Sequence, residues 1–172
     1  RALKKNNTRD WFHENKAWYE AAWKAPANAF IEAMCFRLQA ETDTEHSAKL
    51  FRIHRDIRFS KDKTPYNSHL HILFRREGSK AGLFFGLQTG RLVLGAGMMG
   101  FDKAQLNAYR DAVAGPAGET LEAEIEALLK QGGRMNAPDL ARVPKPFDKE
   151  HERGGAAAAQ GADHMGGLCR PA

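Results

Sequence analysis

Cysteine and long apolar runs are both scarce in this chain of 172 residues. The two cysteines, Cys35 and Cys169, have no CxxC spacing and lie far apart, so the sequence predicts neither a zinc site nor a disulfide framework. No run approaches the roughly 18 to 20 apolar residues that cross a bilayer. No charged-then-apolar leader precedes the first predicted helix. We therefore expect no membrane partner and a cytoplasmic location. The sequence begins at Arg1 rather than Met, so we expect it to start inside a longer reading frame.

The composition is that of a folded protein, with 42% hydrophobic and 27% charged residues. No internal repeat and no long linker divides the chain. We predict a single α+β domain over residues 1–152, followed by a tail of different character over residues 153–172.

Apolar side chains recur at helical spacing in the first forty residues. The predicted first helix extends from an N-cap near Thr8 to about Lys24, and a second begins near Pro26 and ends near Ala40. Together they make a helical hairpin. We interpret the aromatic residues of both helices as core rather than as a base-stacking platform; they are Trp11, Phe12, Trp18, Tyr19, Trp23 and Phe30.

Alternation typical of β-strands begins near residue 51. Strands are predicted over about 51–59, 68–76, 82–88 and 91–98, with a tight turn at Thr89 and Gly90 between the last two. The first strand is expected to direct four apolar residues to the core: Phe51, Ile53, Ile57 and Phe59. Consecutive strands favour an antiparallel sheet. Two helices follow, one capped by Asp102 and one over about 119–133, which completes an α+β fold.

The segment "RLVLGAGMMG" contains a G-x-G-x-x-G spacing formed by Gly95, Gly97 and Gly100. A dinucleotide site would need a parallel βαβ unit and an acidic residue further along, and neither is evident. Close approach of backbones in a sheet is the better explanation, so the sequence indicates no cofactor.

Positive charge is concentrated between residues 52 and 76, where seven basic residues face two acidic ones. This excess equals the net charge of +5 of the whole chain. Such a concentration predicts an anionic partner, a small molecule or a nucleic acid, and the alternative is a solvated strand face.

Arginine presents a planar, permanently charged fork of donors that holds phosphate or carboxylate groups in a fixed orientation. The predicted ligand-binding residues are Arg52, Arg55, Arg58, Lys61 and His69. Asp56, Lys63 and Tyr66 are the candidate catalytic residues, as general base, charge stabiliser and proton donor. Asp56 also fits a two-point ion pair with a neighbouring arginine, and Tyr66 fits a structural role beside the turn at Pro65.

A metal site has less support. His69 and His71 are spaced as ligands on one strand face, with His54 on a neighbouring strand. Nearby cations oppose metal binding, so we predict no metal. Nucleophilic catalysis has no G-x-S-x-G or Cys-His pairing to support it.

Three functions remain open. The first is a site that binds, or turns over, an anionic small molecule. The second is a nucleic-acid module, which would need exposed aromatic side chains to stack on bases. The third is a structural Arg-Asp network in a domain that interacts with another protein.

Four segments resemble, in order, an uncharacterised conserved bacterial family of unknown function. They are "NNTRDWFHENKAWYE", "RIHRDIRFSKDKTPYNSH", a glycine-rich hairpin before a helix, and "RVPKPFDKEH". The signature of the family is R-x-x-R-D-x-R-F-x-x-x-[DN]-K-x-x-Y, and its fixed positions are filled by Arg52, Arg55, Asp56, Arg58, Phe59, Asp62, Lys63 and Tyr66. The resemblance covers about residues 3–152. It implies a shared fold and a shared site but no activity, substrate or cofactor.

The tail contains "GGAAAAQGADHMGGLCRPA", which has almost no apolar periodicity. Codons for its alanine run, read from their second base, admit Leu-Leu-Arg-Arg followed by Lys-Gly-Leu and a tryptophan, similar to the amphipathic ending of that family. We predict a frameshift product that forms neither helix nor strand and does not pack on the core. The alternative is a genuine low-complexity terminus. An uninterrupted frame through codon 172, in independent sequencing reads, would rule out the frameshift.

Overall fold

A computed structural model describes residues 1–98, 100–135 and 168–171. The chain divides into two compact units, residues 1–93 with 170–172 and residues 94–169. The described helices are α1 (Ala2–Lys5), α2 (Arg9–Glu14), α3 (Lys16–Tyr19), α4 (Ala25–Thr42), α5 (Lys103–Ala114) and α6 (Pro116–Lys130). The described strands are β1 (His46–Leu50), β2 (Leu70–Arg76), β3 (Ala81–Gln88), β4 (Arg91–Met98) and β5 (Leu168–Pro171). The predicted α+β class is confirmed.

The N-terminal helices differ in detail from the hairpin that the sequence predicts. Thr8 is the N-cap of α2, and its side chain accepts a hydrogen bond from the Trp11 amide at 3.4 Å. Pro26 lies in the first turn of α4, as predicted. A π-helical turn, Glu20–Lys24, leads directly into α4, and Ala25 donates its N–H to the carbonyl of Glu20. This wider turn accommodates the proline, so the helical backbone continues where we expected a break.

The aromatic residues of these helices differ in how far they are buried. Phe12 is buried, but Trp18 is 56% exposed, so its assignment to the core is wrong. Phe30 of α4 packs against the sheet, with its ring centroid 6.1 Å from that of Phe74 on β2 and 4.7 Å from that of Phe85 on β3. The core of residues 1–93 therefore lies between α4 and the sheet.

The sheet has the strand order β1-β2-β3-β4-β5. Strands β1 and β2 are antiparallel with Ala48 opposite Phe74, and β2 and β3 are antiparallel with Ile72 opposite Phe85. Ile72 and Phe74 are buried, as the alternation predicts, and Leu73 between them is buried as well. Gly90 has a φ of 75° in the predicted turn between β3 and β4.

The first predicted strand is misplaced. The strand before β2 is β1, which ends at Leu50, whereas residues 51–59 are irregular. The prediction that Phe51 and Phe59 face the core is wrong, because Phe51 is 40% exposed and Phe59 is 96% exposed. Side chains of aspartate explain the difference, since short polar side chains offer backbone amides an alternative to strand pairing.

The unit formed by residues 94–169 contains α5 and α6. Asp102 caps α5 by accepting a hydrogen bond from the Gln105 amide at 2.9 Å, and the Gln105 side chain accepts one from the Asp102 amide at 3.2 Å. Helix α6 begins at Pro116, directly after Gly115. Val113 is buried in this unit.

The C-terminal tail is only partly described. Residues 168–171 form β5, so the prediction that the tail contains no strand is wrong for that segment. The rest of the tail, and with it the test of the frameshift prediction, lies outside the described residues, and the boundary at residue 152 stays a prediction. No helix in the described ranges has both the length and the apolar character needed to cross a membrane.

Candidate functional site

The charged segment of the sequence forms the connection between β1 and β2, which we call the basic loop (residues 51–69). Its two arms pair irregularly as an extension of these strands. The Phe51 amide donates to the His71 carbonyl at 2.9 Å, the Asn67 amide to Ile53 at 2.7 Å, and the Arg55 amide to Pro65 at 2.9 Å. The tip of the loop, residues 57–63, is thereby held beyond the edge of the paired arms.

Asp62 organises one side of the tip. Its carboxylate accepts a hydrogen bond from the Thr64 amide at 2.9 Å and forms an ion pair with Arg55 at 2.5 Å. The same guanidinium donates to the Thr64 carbonyl at 3.1 Å and to the Thr64 hydroxyl. Hydrogen bonds from Thr64, and then from Arg55, lower the pKa of Asp62 to about 2. Arg55 is therefore committed in part to the structure of the loop.

Asp56 organises the other side. Its two carboxylate oxygens accept hydrogen bonds from Nε and Nη2 of Arg58, at 3.0 and 2.6 Å, and the Arg58 amide donates to it at 3.2 Å. The predicted two-point ion pair is confirmed. The hydrogen bonds from Arg58 lower the pKa of Asp56, and the charge of Arg52 adds to this effect. A carboxylate with a lowered pKa is a weak general base at neutral pH.

The other two candidate catalytic residues contact the protein itself. Nζ of Lys63 donates to the Ile57 carbonyl at 3.0 Å. Tyr66 is only 4% exposed, and its ring stacks on Phe12 with centroids 4.2 Å apart. Asn7 accepts a hydrogen bond from the Tyr66 amide at 3.1 Å and donates to its carbonyl at 2.8 Å. These contacts fit the structural role that the sequence left open for Tyr66.

A cleft of about 330 Å³ opens beside the basic loop. Its walls comprise Phe51, Arg52, His54, Arg55, Asp56, Asn67, His69 and His71. Four residues that the sequence assigns to the site line this cleft: Arg52, Arg55, Asp56 and His69. The other four do not: Arg58, Lys61, Lys63 and Tyr66. Of the candidate residues, Arg55 and Asp56 therefore belong to the cleft wall, and Arg58 and Lys63 belong to the tip of the loop.

Arg52 differs from the other two arginines of the basic loop. In the part of the chain that the structure describes, its guanidinium forms no ion pair or hydrogen bond, whereas Arg55 and Arg58 each bind an aspartate. Its backbone carbonyl accepts a hydrogen bond from the Asn67 side chain at 3.3 Å, which ties the two walls of the cleft together. The cleft therefore presents one complete guanidinium to a ligand.

Two histidines form another wall of the cleft: His69, directly before β2, and His71 on β2. The rings of His69 and His71 stack with centroids 3.9 Å apart and an interplanar angle of 23°. Burial, with the neighbouring charge of His69 second, lowers the pKa of His71 to about 4. Burial and the charge of Arg55 lower the pKa of His69. His71 is consequently neutral at pH 7, and the lowered pKa of His69 favours its neutral form as well.

The position of His71 depends on a glycine on the next strand. Gly86 lies opposite His71 in the register of β2 and β3. A Cβ at Gly86 would lie 3.4 Å from Cδ2 of His71 and 2.9 Å from Cε1 of Phe84. The absence of a side chain lets both rings lie over β3, where their centroids are 4.9 Å apart.

Metal ligation has no support among the described residues, where no group of three His, Cys, Asp or Glu side chains has the geometry to hold an ion. The histidines that the sequence singles out are stacked ring on ring, or, for His54, packed against Phe12 and Tyr66. Hydrogen-bond donors of arginine and asparagine are instead the main polar groups of the cleft.

Sequence reasoning missed Phe51 and Asn67 as cleft residues, and considered His54 and His71 only as metal ligands. Phe51 was missed because alternation alone placed it on the core face. Asn67 carries no local signal, since its place in the wall follows from its pairing with Ile53 across the loop. His71 was detectable, because it shares the strand face of His69.

Comparison with protein families identifies the chain. The family described as conserved hypothetical protein (DUF2461) matches residues 1–158, and the chain belongs to this family. Neither the curated proteins nor the solved structures include a significant match to it.

Proposed function

We propose that this member of the DUF2461 family binds a small molecule with a phosphate or carboxylate group in the cleft beside the basic loop. Arg52 is the principal ligand to the acid group, and Arg55 adds positive charge from the adjacent wall. Asn67 and the histidines supply uncharged hydrogen-bond donors. Among the described residues that line the cleft, Asp56 is the single carboxylate, and its charge is compensated by Arg58.

The observation that carries this proposal is the state of Arg52. It lines the cleft, and within the described residues its guanidinium makes no hydrogen bond or ion pair. A guanidinium matches two oxygens of a phosphate or carboxylate by parallel hydrogen bonds, which are stronger than bonds between neutral groups. The cleft volume of about 330 Å³ falls at the lower end of the roughly 300 to 1,000 Å³ typical of small-molecule sites.

Isothermal titration of inorganic phosphate and pyrophosphate at pH 7 tests the proposal. We expect Arg52→Ala to weaken binding of both ions about tenfold or more, since a hydrogen bond between charged groups contributes about 1.5–3 kcal/mol. Arg52→Lys keeps the charge without the fork and should give an intermediate loss.

Arg76→Ala is the matched control, because Arg76 is an exposed arginine at the end of β2 that does not line the cleft. Its affinity for phosphate should equal that of the wild-type protein. Equal losses for Arg52→Ala and Arg76→Ala would contradict a localised site and indicate diffuse attraction by surface charge.

A second candidate, binding of single-stranded nucleic acid, is favoured by one observation. Phe59 at the tip of the basic loop is 96% exposed, and the guanidinium carbon of Arg58 lies 6.0 Å from its ring centroid. An exposed aromatic ring beside cationic groups is the combination that stacks on bases and contacts phosphates.

Fluorescence anisotropy with a labelled single-stranded oligonucleotide distinguishes this second function. It requires that Phe59→Ala weaken binding about fivefold or more, as loss of one stacked base predicts, and that affinity fall steeply with salt concentration. Unchanged affinity of Phe59→Ala would eliminate the tip as a base-stacking element.

A cytoplasmic location is part of the main proposal, supported by the lack of paired cysteines in the sequence. The structural alternative is supported by the ion pairs of Arg55 and Arg58, which order the loop. It does not account for Arg52, which lines a cleft.

A further inference from the structure

We infer that the ligand of the cleft carries a planar aromatic ring beside its acid group. This inference rests on the proposed function and deepens it. Nucleoside monophosphates and aromatic carboxylates share this chemistry, and the experiment below separates them.

Aromatic rings form a large part of the cleft wall. Phe51, His54, His69 and His71 all line it, next to the guanidinium of Arg52. A site for a bare phosphate ion needs donors alone, and rings add nothing to its binding. Rings next to a cation instead match a ligand with an apolar, flat portion and a charged end.

Phe51 is the ring most available to a ligand. It is 40% exposed, and its ring contact is with the edge of His71, at 6.2 Å between centroids and an interplanar angle of 87°. In the described residues no aromatic ring stacks on its face. Nζ of Lys49 lies 5.4 Å from its centroid, so the ring already makes a cation–π contact. A ligand ring placed over Phe51 would be offset-stacked or tilted, the arrangements that aromatic pairs prefer.

The histidine stack offers a second flat surface. His71 is enclosed by three rings, those of Phe51, His69 and Phe84. His69 is the outer member of the stack, and within the described chain its ring contact is with His71 alone. A ligand ring placed on the face of His69 directed away from His71 would continue this stack. The size of the cleft, about 330 Å³, favours one ring system with one acid group over a dinucleotide.

Two pairs of probes test the inference, because the members of each pair differ in the ring. Adenosine 5′-monophosphate is compared with ribose 5-phosphate, and phenylacetate with acetate, by isothermal titration at pH 7. We expect the ring-bearing member of at least one pair to bind about tenfold tighter, as base–aromatic stacking predicts. A preference in the first pair alone indicates a nucleotide, and a preference in the second pair indicates a simple aromatic acid.

Substitution of Phe51 identifies the ring as the cause. Phe51→Leu keeps apolar bulk without a π face and should remove most of the preference for the ring-bearing probe. Phe59→Ala is the matched control, since Phe59 is an exposed phenylalanine of the same loop outside the cleft. Thermal unfolding of each variant verifies that it is folded. If Phe51→Leu does not fold, Phe51→Trp is used instead, and because it retains an aromatic ring it should keep the preference.

Failure of this inference differs from failure of the proposed function. If ribose 5-phosphate and acetate bind as well as their ring-bearing partners, and Arg52→Ala still abolishes that binding, the acid site exists and the ring inference is wrong. If none of the four probes binds, both are wrong. A ring preference that survives in Phe51→Leu and disappears in Phe59→Ala also overturns the assignment to Phe51.

Discussion

The ring of Tyr66 stacks on the ring of Phe12 with centroids 4.2 Å apart and an interplanar angle of 28°. Both residues are buried, so the far arm of the basic loop is anchored to α2 by an aromatic pair. His54 contacts both rings by their edges, at 6.3 Å from Phe12 and 5.2 Å from Tyr66. One wall of the cleft therefore depends on the packing of a helix near the N-terminus.

This packing predicts a structural role for Tyr66. We expect Tyr66→Ala to reduce the free energy of unfolding by about 3–5 kcal/mol, as truncation of a buried aromatic residue does. Tyr66→Phe keeps the ring and should change neither stability nor phosphate affinity appreciably. Chemical denaturation and phosphate titration measure the two effects. A large loss of affinity in folded Tyr66→Phe would instead assign the hydroxyl to the site.

Asp62 is predicted to order the tip of the loop without contacting a ligand. Asp62→Ala removes the acceptor of the Thr64 amide and the partner of Arg55, so the Thr64 amide should exchange with solvent faster. Amide hydrogen exchange measured by NMR tests this expectation. Protection of Thr64 that is unchanged in Asp62→Ala would mean that the paired arms alone order the loop.

Different parts of the fold were predictable to different degrees. Helix α5 was placed because Asp102 is a typical N-cap residue, and β2 to β4 because their side chains alternate in the way typical of strands. The strand predicted at 51–59 was wrong. Apolar and charged residues alternate there as regularly as in β2, so alternation alone could not distinguish the two segments. There, the carboxylates of Asp56 and Asp62 accept hydrogen bonds from backbone amides, which competes with strand pairing. Ion pairs with Arg58 and Arg55 hold the two carboxylates in place.

The concentration of charge in the sequence predicted which segment contains the candidate site, but not which residues of that segment line the cleft. Concentrated basic residues led to the loop that borders the cleft, and alternation placed His69 and His71 on one face. Charge could not distinguish Arg52, which lines the cleft, from Arg58, which forms an ion pair with Asp56 and does not line the cleft. That distinction depends on the direction of each side chain in an irregular loop, for which the sequence has no periodic signal.

The lowered pKa values of His69 and His71 predict pH-dependent binding of an anion. An anion in the cleft stabilises the charged imidazolium and raises these pKa values, so affinity should increase as pH falls from 7 toward 5. Asp56, whose pKa is lowered, stays ionised across this range. Sulfate is the suitable probe because its own charge is constant there.

We expect sulfate affinity to rise about threefold or more between pH 7 and pH 5, which corresponds to partial uptake of one proton on binding. The double variant His69→Gln with His71→Gln should show a weaker dependence on pH, with His54, Arg52 and Arg55 left in the cleft. A sulfate affinity that is the same at both pH values would contradict the involvement of these imidazoles.

The same histidines predict how stability depends on pH in the absence of ligand. The folded protein holds His71 with a pKa of about 4, while the unfolded chain has the ordinary value near 6.5. Between these values the unfolded state binds the extra proton, so stability falls as pH decreases from 6.5 toward 4. Thermal unfolding of His71→Phe should show a smaller decrease over this range. An equal or steeper decrease would locate the acid sensitivity elsewhere.

A titration of the protein with inorganic phosphate, followed by two-dimensional NMR of backbone and arginine side-chain N–H groups at pH 7, tests the central claim most directly. The account predicts saturable shifts at Arg52 Nε–H and at the amides of Asn67 and His69. Shifts that stay linear with phosphate concentration and are distributed over Arg75, Arg76 and Lys61, with Arg52 unchanged, would contradict it.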